Sequence, residues 1–142
     1  MKTKKKLIFS MLFILCITAY AQKSAKQLER EQNKIDTLYT YEEKGNLQLM
    51  FNKEVEKMRL SQTKSNEYFN IMANYGYDMS RLDDKDKGFT SEEIRVELNK
   101  IVNKLNTEVK DLLNKRQYII HLESMNKLLY SIYSKWNWKQ ED

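Results

Sequence analysis

The chain has 142 residues, with 25 Lys and Arg against 20 Asp and Glu, one His, one Cys and no Pro. A single histidine excludes zinc sites built from several of them and leaves a Ser-His-Asp triad without positional support, and a single cysteine excludes an internal disulfide. With no proline, only three glycines and charged residues at 32%, the expected class is all-α, a small hairpin or bundle of four to five helices.

The first residues read as an export signal. Lys2, Lys4, Lys5 and Lys6 give a basic start, Leu7 to Ile17 is almost wholly apolar, and Ala19-Tyr20-Ala21 offers the small residues a signal peptidase reads. Cleavage is expected after Ala21, with Cys16 discarded, because the apolar run is short of the roughly 20 residues a membrane anchor needs. Residues 1–21 hold four lysines and no acid, so the net charge of +5 falls to +1 for residues 22–142. That removes the case for a nucleic-acid or anionic-lipid surface, which needs clustered excess positive charge. A periplasmic or secreted protein with no membrane insertion after cleavage is expected. Its 121 residues suit one domain burying roughly 65% of the unfolded surface.

From Gln22 to Lys44 only Leu28, Ile35, Leu38 and Tyr39 form a thin apolar stripe, predicting a marginal, frayed helix over about 22–46. Gly45-Asn46 reads as a stop, since both residues tolerate the left-handed conformation that ends helices. Met50, Phe51, Val55 and Met58 then restart a helical pattern. Leu60-Ser61 looks like a built corner with Ser61 as N-cap, although Lys64 stands where a capping-box acceptor belongs. Tyr68, Ile71, Met72, Tyr75, Met79 and Leu82 keep helical spacing, and Gly76 inside that run costs roughly 1 kcal/mol relative to alanine.

The acids of Asp83-Asp84-Lys85-Asp86-Lys87-Gly88 invite a calcium loop, but Lys85 and Lys87 fall on ligand positions and Ile94 falls where the bidentate glutamate belongs. A solvated turn is expected, closed by the capping box Thr90-Ser91-Glu92-Glu93. Ile94, Leu98, Ile101, Leu105, Val109 and Leu112 stack on one face of the next helix. The pattern breaks at Leu113-Asn114-Lys115-Arg116-Gln117-Tyr118 and resumes in another phase with Leu122, Met125, Leu129, Ile132 and Trp136. Asn114 is a good N-cap, Gln117 can return to its amide, and Leu113 and Tyr118 sit where a hydrophobic staple would close the joint.

No catalytic constellation emerges. Glu42-Glu43 and Glu92-Glu93 lie at helix ends with no apolar pocket to separate two carboxyl pKa values, and a non-enzyme is expected. His121 shares a face with Met125, near Glu123, but one histidine makes a poor metal site and no cofactor is expected. Trp136 falls in phase with the core. Trp138 lies about 200° further round, and Tyr77 bears the same relation to Tyr75, which makes Tyr77 and Trp138 the candidate partner surface.

The two corners resemble the Spy/CpxP-like periplasmic proteins, which carry two copies of a Leu-Thr-x-x-Gln motif. Here the copies are Leu60-Ser61-Gln62-Thr63-Lys64 and Leu113-Asn114-Lys115-Arg116-Gln117, and the similarity covers about residues 50–138. The first has Ser for Thr and Lys for Gln; the second has Asn for Thr. The resemblance implies a secreted, cradle-shaped helical homodimer that binds unfolding or envelope proteins without ATP or reports envelope stress. The alternative is a structural or adaptor bundle for one envelope partner, and an inhibitor or small enzyme ranks third.

Overall fold

A computed structural model describes residues 24–35 and 38–139; the expected signal segment, its cleavage point and Cys16 lie outside the described residues. Every regular element described is an α-helix: α1 (Ala25–Asn33), α2 (Tyr41–Met58), α3 (Gln62–Met79), α4 (Ser91–Leu112) and α5 (Lys115–Trp136). The chain divides into two compact units, Met1–Lys34 and Ile35–Asp142, a division inside the stretch expected to fray. In the first unit α1 opens on a full capping box, Ser24 with Gln27, and buries none of its nine residues.

The second unit is built from two antiparallel pairings joined by a third. Helix α2 packs on α5, α3 packs on α4, and α4 and α5 share an interface. Bonds from Met58 to Gln117 at one end and from Glu43 to Lys135 at the other fix the antiparallel sense of α2 and α5. Because α2 and α3 are not packed along their lengths, the side between them is left open.

Burial follows the periodicity where the pattern is strong. Helix α4 buries Ile94, Leu98, Val102, Leu105 and Val109, which includes Val102 in addition to the expected stripe, while Ile101 and Leu112 are half-buried. Helix α3 buries Tyr68 and Ile71, and Leu82 follows them just beyond its end. In α5 the inner face is Gln117, His121, Ser124, Met125 and Ile132, a more polar set than the apolar residues alone define.

The start of α2 differs from expectation. Gly45-Asn46 does not stop a helix: α2 begins at the N-cap Thr40 and runs through both residues to Met58. Thr40 Oγ1 accepts from the Glu43 amide and Glu43 Oε2 accepts from the Thr40 amide, completing a capping box that supplies a stronger start than glycine supplies a stop. Gly45 is exposed, so its cost is only the propensity term of about 1 kcal/mol, which packing of Val55 and Met58 offsets.

Candidate functional site

The corners dock onto each other. At the second, Asn114 Oδ1 accepts from the Gln117 amide at 2.9 Å and Gln117 Oε1 accepts from the Asn114 amide at 3.1 Å, so the expected capping box is formed in full. Gln117 does more than cap. Its side-chain Nε2 donates at 3.0 Å to the carbonyl of Met58, the last residue of α2, and Arg116 Nη2 reaches the Lys57 carbonyl at 3.4 Å. In return Lys64 Nζ donates at 3.0 Å to the carbonyl of Leu112, the last residue of α4. Each corner's fifth residue therefore satisfies a carbonyl that the end of the other hairpin's helix leaves without an intrahelical partner. Ser61 Oγ accepts from the Lys64 amide at 3.4 Å without a reciprocal bond, so the Leu60 corner has the weaker cap. Leu113 is buried and Leu60 half-buried at the joint, and Arg59 adopts a left-handed φ of 51° to make the turn.

Behind the corners lies a buried polar chain. Tyr68 Oη and His121 Nδ1 are 3.0 Å apart, and His121 Nε2 and Asn106 Oδ1 are 2.9 Å apart. The amide oxygen only accepts, so Nε2 carries the imidazole proton and Nδ1 accepts from the tyrosine. The ring also stacks against Tyr118, with centroids 5.9 Å apart. His121 is 0% exposed. Burial pushes its pKa down to about 4 and pushes the Tyr68 phenol well above its ordinary value. With both nitrogens bonded, His121 ties α3, α4 and α5 together as a neutral group. Glu123 is exposed, and among the described residues no His, Cys, Asp and Glu group could hold a metal ion.

Two acids are buried with partners. Glu54 accepts from Lys57 at 2.8 Å and Lys127 at 3.1 Å, and these ammoniums hold its carboxyl below the ordinary range. Asp84, in the turn expected to be solvated, is buried instead: it pairs with Arg81 and accepts from the Ile35 amide at 3.4 Å. That bond ties Ile35 to the turn after α3.

The two expected surface aromatics part company. Tyr77 is 51% exposed, with the Arg81 guanidinium 6.0 Å from its ring centre, and Phe69 on the same helix is 42% exposed. Phe69, Ala73 and Tyr77 stand at i, i+4 and i+8, a continuous exposed stripe on α3. Phe69 also borders an open cleft of about 410 Å³ shared with Val55, Arg59 and Leu60. Trp138, by contrast, is half-buried. Helix α5 ends at Trp136 and Asn137 turns left-handed at φ 53°, so helical phase no longer governs the next residue. Trp138 folds back to stack on Trp136 at 5.2 Å and donates its indole N–H to Ser91 Oγ at 2.7 Å.

At the end of the bundle away from the corners, where α2 and α3 stand apart, lies a cavity of about 220 Å³. Its walls are mostly apolar: Met79 from α3, Ile94 and Leu98 from α4, Leu128 and Ile132 from α5, and the two tryptophans, with Lys44 of α2, Ser80 and Asp83 also lining it. Leu38 and Tyr39 cover it from the segment before α2, and Gly76 of α3 also lines it.

No protein-family model, curated protein or solved structure matches the chain. Among the described residues no helix is long and apolar enough to cross a membrane.

Proposed function

We propose that this is a periplasmic or secreted helical protein that binds unfolding or envelope proteins without nucleotide, in the manner the Spy/CpxP-like resemblance implies. The observation that carries the reading is the exposed stripe Phe69-Ala73-Tyr77 on α3, flanked by the Arg81 guanidinium. Exposed aromatics beside charge give weak, sequence-tolerant contact, because rings bury apolar area without demanding a particular hydrogen-bond partner. The docked corners give further support: the two motif copies lie side by side, held by the Gln117 and Lys64 bonds. A homodimer belongs to the same reading.

The client surface rests on Phe69 and Tyr77, because Trp138 is already engaged with Trp136 and Ser91. Pull-down with residues 22–142 from an envelope extract tests the reading. Many sub-stoichiometric proteins, released by salt, are expected, since nearby Lys and Arg would steer the contact. One stoichiometric partner would instead identify an adaptor.

A further inference from the structure

The cavity between α3, α4 and α5 has properties that packing alone does not explain. Gly76 sits inside α3, where glycine is an unfavourable helix former, and a Cβ built on it would meet nothing within 4 Å. The chain thus keeps a helix-weakening residue at a wall where a side chain would fit. The propensity cost of a helical glycine falls on a residue that lines the cavity.

Several polar groups that line the cavity are already engaged, Ser80 Oγ among them, donating to the Tyr77 carbonyl at 2.8 Å. Tyr39 Oη donates to Ser131 Oγ at 3.1 Å and the Trp138 indole N–H donates to Ser91, so neither seeks a partner inside. Most of what lines the space is aliphatic carbon, the Met79 thioether and indole rings, with Lys44, Ser80 and Asp83 as its further polar members. Such walls reward an apolar occupant and give water few of the partners it needs to settle. Ile35, which also lines the cavity, donates its amide to the buried Asp84 at 3.4 Å, and a wider cavity of about 710 Å³, bordered by Asp83, Lys85 and Lys135, shares Ile35, Leu38, Asp83, Ile94 and Trp136 with it.

We infer that this cavity is a binding site for a small uncharged apolar molecule, most readily a flat aromatic one. An apolar cavity of about 150 Å³ accepts benzene, so about 220 Å³ scales to about nine non-hydrogen atoms, the size of indole. The inference stands apart from the client surface, since Phe69 and Tyr77 do not line the cavity.

Saturation-transfer NMR with toluene and with indole, on residues 22–142, tests it. One-to-one binding half-saturating below about 1 mM is expected, with contacts from the probe to the Met79 methyl and to the rings of Trp136 and Trp138. A rise in Tm with probe concentration should accompany it, because the probe binds only the folded state. Gly76→Leu should fill the space and reduce binding at least tenfold while helicity is kept; Gly76→Ala should reduce it less. No binding by the wild type, binding unchanged in Gly76→Leu, or binding with no contact to Met79 would each overturn the inference. Should Gly76→Leu fail to fold, the wild-type contacts alone decide between the cavity and any other surface.

Discussion

Lowering the pH should destabilise this protein through His121. Its imidazole is held neutral in the folded state, with a pKa of about 4 against an ordinary 6.5. Between those values the unfolded chain binds a proton that the folded chain refuses, so stability rises with pH across the window and falls as pH drops through it. The loss begins near pH 6.5 and is complete below about 4. At about 1.4 kcal/mol per pH unit the full effect is between about 3 and 4 kcal/mol, a large share of the stability of a domain this size. A protonated ring would also carry a hydrogen on Nδ1, reversing that bond so that the Tyr68 hydroxyl accepts and its own hydrogen loses the imidazole as its acceptor. Urea denaturation of wild type and His121→Gln at pH 7, 5.5 and 4.5 measures the effect. Glu43, Glu54 and Glu93, each held below the ordinary carboxyl range by its partners, lose their contribution mainly below about pH 4.5 and do so in both proteins. The glutamine variant should be less stable at pH 7, with the gap closing as pH falls. Parallel curves for the two proteins between pH 7 and 5 would refute a neutral buried imidazole.

Asn114→Ala should cost about 0.5 to 2 kcal/mol by removing the cap of α5, and Gln117→Ala about 1 to 3 kcal/mol because it also strands the Met58 carbonyl; the urea midpoints of the two variants should fall in that order. Lys64→Ala, which removes the exposed member of the corner exchange, should cost less than either. Trp138→Ala should lower stability by about 1 to 3 kcal/mol and change the near-ultraviolet circular dichroism, since the Trp136-Trp138 stack is the only pairing of the two indoles in a chain with two tryptophans.

What could be read in advance was what local chemistry decides. The joint at Asn114 was legible because a cap, a reciprocal glutamine and flanking apolar residues all lie within six positions, and Thr90 with Glu93 was legible for the same reason. The start of α2 carried the same signal in Thr40 and Glu43, but the glycine at 45 drew the boundary elsewhere; an exposed helical glycine costs too little to end a helix that is packed further along. The docking of Gln117 on Met58 and of Lys64 on Leu112 spans 59 and 48 positions, and nothing in either pentapeptide announces it. Asp84 was expected in a solvated turn and His121 partly buried or at the surface, because polar residues usually lie there. Their burial depends on partners, Tyr68 and Asn106 for one and Arg81 for the other, and in the histidine's case those partners lie on other helices. Trp138 was placed by continuing a helix that ends two residues before it.

The binding of unfolding chains is tested most directly by light scattering of a reduced or heat-stressed client, without nucleotide, in the presence of residues 22–142 or of the same protein carrying Phe69→Ser and Tyr77→Ser. Suppression of aggregation by the wild type, weaker at high salt and lost in the double variant at unchanged helicity and Tm, is expected. No suppression at any stoichiometry, or equal suppression by both proteins, would contradict a client surface on α3.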